Sequence, residues 1–216
     1  MKECIAVVQD AVINMKDDII IDAVKKCLDE GLTPIQIIEE GLSGGLEVVG
    51  KKFEAGDYYL AELIMAGEVV TEATHMLKDK MDSGDMGKKG KVILATVKGD
   101  VHDIGKNVVA MILSAQGYEI VDLGIDVAPE KIADAVSDTG IQLLGLSILL
   151  TTMVPTIKQV VDLLTARGLR KKVKIAIGGA CCSQQLADEM GVDAFGESAV
   201  AAVDIFNNFK KELGLA

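Results

Sequence analysis

The chain has 216 residues, 50% of them hydrophobic and 25% charged, which is typical of a globular protein. It has no Trp, 3% aromatic residues and a net charge of −11. Nucleic acids are bound through basic surfaces and aromatic platforms, so we expect no nucleic-acid partner. The longest apolar stretches, such as residues 143–150, are too short to span a bilayer, and we expect no membrane partner.

The negative charge is unevenly distributed between the first 82 residues and the rest of the chain. Residues 1–82 hold 17 acidic and 8 basic side chains, whereas residues 83–216 hold 16 and 14. We interpret the acidic part as an ordinary solvated surface, and the alternative is a docking face for a basic protein. The start of the chain lacks the long apolar run of a signal peptide, and its four cysteines show no framework spacing. We therefore expect a cytoplasmic protein with reduced thiols.

The first part of the chain has helical periodicity. Two short amphipathic runs cover residues 3–14 and 17–29. Gly31 is expected to close the second run, and Thr33 and Pro34 to cap and open the next helix. Two longer stripes recur every three or four positions: Ile35, Ile38, Leu42, Leu46, Val49 and Phe53, then Leu60, Leu63, Ile64, Gly67, Val70 and Thr74. The pattern predicts a four-helix bundle as a domain over residues 1–82.

The rest of the chain alternates between strands and helices. Residues 83–90 are rich in glycine and charge and are interpreted as a linker. Strands are expected at residues 92–97, 119–122, 143–147, 173–177 and 193–195. Helices are expected near residues 104–116, 129–138, 153–167, 182–190 and 197–212. This order predicts a doubly wound α/β domain over residues 91–216 with a five-stranded parallel sheet. Ligands of such folds bind at the carboxyl ends of the strands.

One of the two histidines lies at such a strand end. His102 follows the first predicted strand and has a carboxylate, Asp100, two residues before it. A histidine that donates one ring nitrogen to a carboxylate presents the other to a metal. Ser147 ends the third strand and is expected to hydrogen-bond Asp100, forming a Ser–Asp–His relay. The alternative is a histidine satisfied by an ordinary loop hydrogen bond. The other histidine, His75, is expected to be a surface or packing residue of the fourth helix.

Glycines also collect at this predicted sheet edge. Gly105 opens the helix after the first strand, and Gly178 and Gly179 end the fourth strand. Each can be an ordinary turn residue. Together they suggest an open slot lined by small residues, which suits a long flat ligand better than a compact phosphate.

These residues resemble a known signature. The pattern Asp100-x-His102-x-x-Gly105, then 41 residues, Ser147-x-Leu149, then 28 residues, and Gly178-Gly179 is similar to the cobalamin-binding motif. That motif occurs in the B12-binding module of methionine synthase, in some B12 mutases and in the corrinoid proteins of methyltransferase systems. The run Asp-Val-His-Asp-Ile-Gly-Lys-Asn at 100–107 resembles the methyl-transfer branch most. The segment Phe-Glu-x-Gly-Asp-Tyr-Tyr-Leu at 53–60 extends the resemblance to the helical cap.

The resemblance implies a fold and a site. The fold would be a helical cap followed by a Rossmann-like or flavodoxin-like B12-binding domain. His102 would take the lower axial place on cobalt, with Asp100 and Ser147 behind it. The benzimidazole tail would lie in the slot beside the sheet, which would be lined by Gly105, Leu149, Thr151, Gly178, Gly179 and Phe195. The cap would cover the methyl-bearing face, with Tyr59, Leu60, Ile64 and Met65 as candidates for contact or for core packing. The full set of expected cofactor-binding residues is Asp100, Val101, His102, Asp103, Ile104, Gly105, Ser147, Leu149, Thr151, Gly178, Gly179 and Phe195.

The resemblance also implies a role. The chain would be a non-catalytic methyl carrier: cob(I)alamin accepts a methyl group from a substrate-specific methyltransferase, and methylcobalamin passes it to a second methyltransferase acting on coenzyme M or tetrahydrofolate. A reductive activase would be a third partner. We expect these partners to be separate proteins, because 216 residues leave no room for a substrate barrel. Methylamines or glycine betaine are the preferred methyl donors, and methanol or aryl methyl ethers are alternatives.

Other classes remain to be compared. A cobalamin-dependent sensor would normally carry a DNA-binding or signalling domain in addition, and a B12 subunit of a mutase generally lacks the helical cap. A nucleotide-binding domain should show Gly-x-Gly-x-x-Gly after its first strand, whereas residues 99–107 have glycines only at 99 and 105. An iron or zinc hydrolase would need more ligands than two histidines and Asp100 supply.

Overall fold

The structure is a computed structural model that describes residues 2–78 and 89–215. It divides into two compact units, one formed by Met1–Lys88 with Met111–Tyr118 and the other by Lys89–Ala110 with Glu119–Ala216. The predicted linker, residues 83–90, lies mostly outside the described residues. None of the described helices has the length and hydropathy needed to cross a membrane.

The first unit is helical, as its periodicity predicted. Its elements are α1 (Lys2–Ile13), α2 (Asp17–Asp29), α3 (Pro34–Gln36), a π-helical segment (Ile37–Ser43), α4 (Gly44–Ala55) and α5 (Leu60–Lys78). The segments from α3 to α4 follow one another without a break, so they correspond to the third predicted helix. Most of the two apolar stripes is buried as expected, with Leu42, Val49 and Val70 each at 0% exposure, whereas Leu60 at the start of α5 is 43% exposed.

Local sequence determines how this third helix begins. The Thr33 side chain accepts a hydrogen bond from the N–H of Gln36, and the Gln36 side chain accepts one from the N–H of Thr33. This capping box satisfies two N–H groups that the first turn would leave free. The predicted cap at Thr33 and Pro34 is therefore confirmed. The π-helical segment was not predicted. It packs closely on α1, since a Cβ at Gly41 would lie 2.8 Å from Val8 Cγ1.

The second unit is a five-stranded parallel sheet. Its strands are β1 (Lys91–Thr96), β2 (Glu119–Asp122), β3 (Leu143–Ser147), β4 (Lys174–Gly178) and β5 (Ala194–Gly196), in the order β2-β1-β3-β4-β5. Its helices are α7 (Pro129–Thr139), α8 (Val154–Ala166), α9 (Gln184–Met190), α10 (Ala201–Leu213) and the first part of α6 (Ile104–Ala115), whose residues from Met111 onward are grouped with the first unit. Short 3-10 turns occur at Thr151–Met153 and Arg170–Lys172. The predicted doubly wound fold is confirmed.

The two faces of the sheet have different cores. On one face, side chains such as Ile93, Leu144 and Ile175 pack against α7, α8 and α9. The alternate residues of the same strands point to the opposite face, because successive side chains of a strand alternate. There, a Cβ at Gly145 would meet Leu94 and Phe206 of α10. The strand order reverses between β1 and β3, and ligands of such sheets bind at the carboxyl ends of the strands beside this reversal.

Candidate functional site

The site begins at the buried carboxylate of Asp100, in the loop between β1 and α6. This residue is 0% exposed. Its Oδ1 accepts hydrogen bonds from the N–H of His102 at 3.0 Å and lies 2.7 Å from His102 Nδ1. Its Oδ2 accepts from the N–H of Leu149 at 2.6 Å and from that of Leu150 at 3.3 Å. Four donors therefore surround one carboxylate.

The hydrogen bonds determine the charge of this carboxylate. Burial alone would raise the pKa of Asp100, but the donors at His102, Leu149 and Leu150 outweigh it and lower the pKa to about 2. Asp100 is consequently ionised at neutral pH. An ionised partner favours the tautomer in which His102 carries its proton on Nδ1, and this leaves the lone pair of Nε2 available.

His102 is presented to solvent beside apolar neighbours. Its side chain is 49% exposed, and its carbonyl accepts a hydrogen bond from Thr96 Oγ1 at 3.1 Å. The flanking Val101 and Ile104 are 63% and 64% exposed. Leu149 and Leu150, on the loop that binds Asp100, are also exposed. An imidazole surrounded by exposed aliphatic side chains suits a flat, largely apolar ligand that lies over the loop and binds the imidazole nitrogen.

The expected contact between Ser147 and Asp100 is not formed. Ser147 is paired with Thr96 and Gly178 in the sheet and shares its face with Gly145. It therefore lines the cavity described below, while the backbone N–H groups of the next turn reach Asp100. The predicted Ser–Asp–His relay was wrong in its first member, since the donors that replace Ser147 are peptide groups.

A cavity of about 410 Å³ lies within this unit, between the sheet and helices α6 and α10. Predicted residues on its wall are Gly105, Ser147, Gly178, Gly179 and Phe195. Further lining residues that the sequence did not reveal are Leu94, Lys106, Val109, Gly145, Leu146, Ala176, Ile177, Ala180, Cys182, Gly196, Glu197, Ser198, Ala199, Ala202, Ile205 and Phe206. The lining is mostly apolar, which suits an aromatic ligand group.

Two residues expected in the slot are absent from the lining among the described residues. Leu149 uses its N–H on Asp100, and Thr151 is exposed at the start of a 3-10 turn. The chain after β3 turns toward Asp100 and does not continue along the cavity. Asp103 likewise stays in the β1–α6 loop, where its Oδ2 accepts a hydrogen bond from Asn107.

Two glycines shape the wall of the cavity: Gly105 leaves space beside α6, and Gly179 allows a close backbone contact. A Cβ at Gly105 would meet nothing within 4 Å, so the space beside this helix start is free for a ligand. Gly179 has a φ of +124°, and a Cβ there would lie 1.9 Å from the Ile148 carbonyl oxygen. Only glycine allows the β4 turn to approach the β3 turn this closely.

The comparisons with known proteins agree with this geometry. Two models of a family described as a B12 binding domain match the chain, over residues 90–205 and 5–78. The chain belongs to the B12-binding family of corrinoid proteins. Cobalamin is the cofactor of this family. The Asp100–His102 pair, the open wall at Gly105 and the apolar cavity fit such a cofactor.

Relatives of this corrinoid protein cover nearly the whole chain. It is 39% identical over 203 residues to the dimethylamine corrinoid protein of Methanosarcina barkeri, across 94% of this chain and 95% of that protein. A cobalamin-binding protein from Desulfitobacterium hafniense matches with a TM-score of 0.83 and 32% identity, across 95% of this chain and 98% of that one. A chain of the methanol:cobalamin methyltransferase complex of Methanosarcina barkeri also matches with a TM-score of 0.83, at 30% identity, across 96% of this chain and 79% of that one.

The other histidine lies on the surface of the helical unit. His75 is exposed on α5, in agreement with the expectation of a surface residue. In the part of the chain that the structure describes, no group of three or more His, Cys, Asp and Glu side chains could hold a metal ion.

Proposed function

We propose that this chain is a corrinoid methyl carrier that accepts a methyl group from a methylamine-specific methyltransferase and delivers it to a second methyltransferase acting on coenzyme M or tetrahydrofolate. The single observation that carries the proposal is the ionised Asp100 held 2.7 Å from His102 Nδ1, beside the open cavity. Dimethylamine is the preferred donor, because the relatives at 39% and 41% identity are named dimethylamine corrinoid proteins.

In this proposal the protein supplies binding and electronic control. Cobalt of the bound corrinoid supplies the site that takes up and releases the methyl group. His102 would hold the metal through Nε2, and Asp100 would hold the proton on Nδ1 and make the imidazole a stronger donor. The backbone of Leu149 and Leu150 keeps Asp100 in place. The cavity would hold the nucleotide tail of the bound cofactor, and His102 would be the side chain that binds its metal.

The helical unit offers a second, apolar surface for this role. Tyr59, Leu60 and Met65, at the start of α5, are 72%, 43% and 50% exposed. Large apolar side chains that remain in solvent often mark an interaction surface. We propose that these side chains would shield the bound cofactor from water between transfers. Ile64, the fourth candidate, is only partly exposed and belongs equally to the packing of the helices.

The decisive experiment loads the full chain with hydroxocobalamin and compares it with His102→Ala. After reduction to Co(II), electron spin resonance of the original protein should show hyperfine splitting from one axial nitrogen, and the variant should lose it. His75→Ala is the matched control, because it removes the exposed histidine of α5 and should keep the signal. Failure of the original protein to retain any corrinoid, or a nitrogen signal that survives in His102→Ala, would contradict the proposal.

The identity of the methyl donor requires a separate assay. The loaded and reduced chain is mixed with a dimethylamine methyltransferase and dimethylamine, and methyl uptake is followed by absorption. Faster methylation in this mixture than with a methanol methyltransferase and methanol would support the preferred donor. The reverse order would favour methanol, which the match to the methanol:cobalamin methyltransferase complex makes the second candidate.

A further inference from the structure

Two adjacent cysteines stand where the β4 turn meets the cavity. Cys181 and Cys182 are both partly buried, and Cys182 is on the cavity wall. The Cys181 thiol donates to the Ile148 carbonyl oxygen at 3.4 Å, and the Cys182 thiol lies 3.9 Å from the same oxygen. The Cys181 thiol is also close enough to the Cys182 thiol to interact with it electrostatically. Both sulfur atoms therefore converge on one point.

We propose that Cys181 and Cys182 form a dithiol site that captures trivalent arsenic compounds and thereby blocks the cavity. Soft ions and compounds prefer sulfur ligands, and a second thiol already in place acts at a high effective concentration. The mostly apolar cavity has room for a small organic substituent on arsenic. The blocking of corrinoid uptake rests on the function proposed above, whereas the capture itself does not.

The chemistry balances without an oxidant. A trivalent arsenic oxide with one organic group, R–As=O, condenses with two thiols to give R–As(S)₂ and one water. Two As–S bonds form, the arsenic–oxygen bond breaks, and the two thiol protons leave with the oxygen. The thiols enter as S–H groups, in keeping with burial and the neighbouring Cys181, which raise the pKa of Cys182 to about 12.

The dithiol is linked to the metal ligand through one peptide group. The carbonyl of Ile148 contacts both thiols, and the N–H of the same peptide, on Leu149, donates to Asp100 at 2.6 Å. Capture of arsenic removes both S–H groups from this carbonyl. The adduct would therefore occupy cavity space and also disturb the peptide that holds Asp100 beside His102.

The chain contains its own control in a second cysteine pair. Cys4 and Cys27 also lie close enough for their thiols to interact, but they are 1% and 0% exposed in the helical unit and are not on the wall of the cavity described above. Proximity alone would make both pairs react. Access through the cavity predicts that only Cys181 and Cys182 react in the folded protein.

The test treats the corrinoid-free full chain with phenylarsine oxide and counts adducts by intact-mass spectrometry. We expect one phenylarsenic group per folded chain, its loss in Cys181→Ser and in Cys182→Ser, and its retention in Cys4→Ser and Cys27→Ser. Unfolding in urea should allow further reaction at the second pair. No adduct on the folded chain, or an adduct that persists in both Cys181→Ser and Cys182→Ser, would overturn the proposal.

The second readout separates this inference from the proposed function. The modified chain is incubated with hydroxocobalamin, and retained corrinoid is measured after gel filtration. We expect retention to fall at least tenfold relative to the unmodified chain and to recover when an excess of a small dithiol removes the arsenic. Undiminished retention by the adduct would overturn the blocking step. If the unmodified chain also retains no corrinoid, the proposed function fails while the capture is still judged by its adducts.

Discussion

Leu149 donates its backbone N–H to Oδ2 of Asp100 across 2.6 Å, which joins the loop after β1 to the loop after β3. These loops follow neighbouring strands, and their junction lies where the strand order reverses. The bond places a buried negative charge behind His102 and uses no side-chain donor from β3. The strength of the imidazole as a donor therefore depends on the backbone N–H groups after β3 that hold Asp100 in place.

Asp100→Asn should destabilise the corrinoid-free chain by roughly 2 to 4 kcal/mol. In the variant an amide nitrogen replaces one of the two carboxylate oxygens and cannot accept a hydrogen bond. The N–H groups that bond to that oxygen would lose their acceptor. Urea unfolding followed by circular dichroism measures the loss. Asp103→Asn is the matched control: this residue is exposed and its Oδ2 accepts a hydrogen bond from the Asn107 side chain, so we expect a change of about 0.5 kcal/mol or less. Equal losses in both variants would contradict this account of Asp100.

Gly179→Ala should cost more than about 3 kcal/mol or prevent folding. Its added Cβ would lie 1.9 Å from the Ile148 carbonyl oxygen, at a φ of +124°. Gly140→Ala isolates the cost of a left-handed backbone, because its φ is +67° and nothing lies within 4 Å of the added atom. That control should lose about 1 to 2 kcal/mol. Thermal unfolding of both variants tests the difference, and similar midpoints would show that the β4 turn can relax.

Much of the fold could be predicted from the sequence because its signals are local. Short apolar runs gave each strand to within a residue or two, since parallel strands are buried on both faces. The cap at Thr33 was visible because a capping box needs only Thr and Gln at a fixed spacing. The π-helical segment Ile37–Ser43 has no such signal, because it depends on how its glycines pack against α1.

The residues of the site could be predicted where the residue type itself matters, but the contacts made by backbone groups could not. Asp100, His102 and Gly105 were found from their types and spacing. Ser147 was assigned to Asp100 because a hydroxyl is the only donor that a sequence displays at the end of β3. The N–H groups of Leu149 and Leu150 belong to any residue and depend on the path of the turn. Phe206 is on the cavity wall because α10 returns to the sheet, which no local pattern indicated.

Gly105→Leu should impair binding of complete cobalamin while leaving the fold intact. The new side chain would project into open space beside α6 and occupy part of the cavity, so we expect at least a tenfold loss of affinity, about 1.4 kcal/mol. Cobinamide, which lacks the nucleotide tail, should bind the variant and the original chain equally. Gly105→Ala should show a smaller loss. Absorption titrations with both corrinoids measure these affinities, and a parallel loss of cobinamide binding would place the effect outside the tail slot.

Removing Asp122 should lower the free energy of unfolding much more than removing Lys106, its partner in an ion pair. The Lys106 side chain is 3% exposed and bonds to Asp122 and, at 2.8 Å, to Asn107 Oδ1, whereas Asp122 is 38% exposed. Asp122→Asn leaves a buried ammonium without its counter-ion and should cost about 3 kcal/mol.

Lys106→Met removes the buried charge and fills its space with an apolar chain. Water can hydrate the carboxylate of Asp122, which still accepts a hydrogen bond from the N–H of Gly124 at 2.9 Å. We expect this variant to lose less than about 1 kcal/mol. Urea unfolding of the two variants provides the comparison. A larger loss in Lys106→Met than in Asp122→Asn would mean that the attraction within the pair exceeds the cost of burying the ammonium, and that the lysine stabilises this edge of the sheet by its charge.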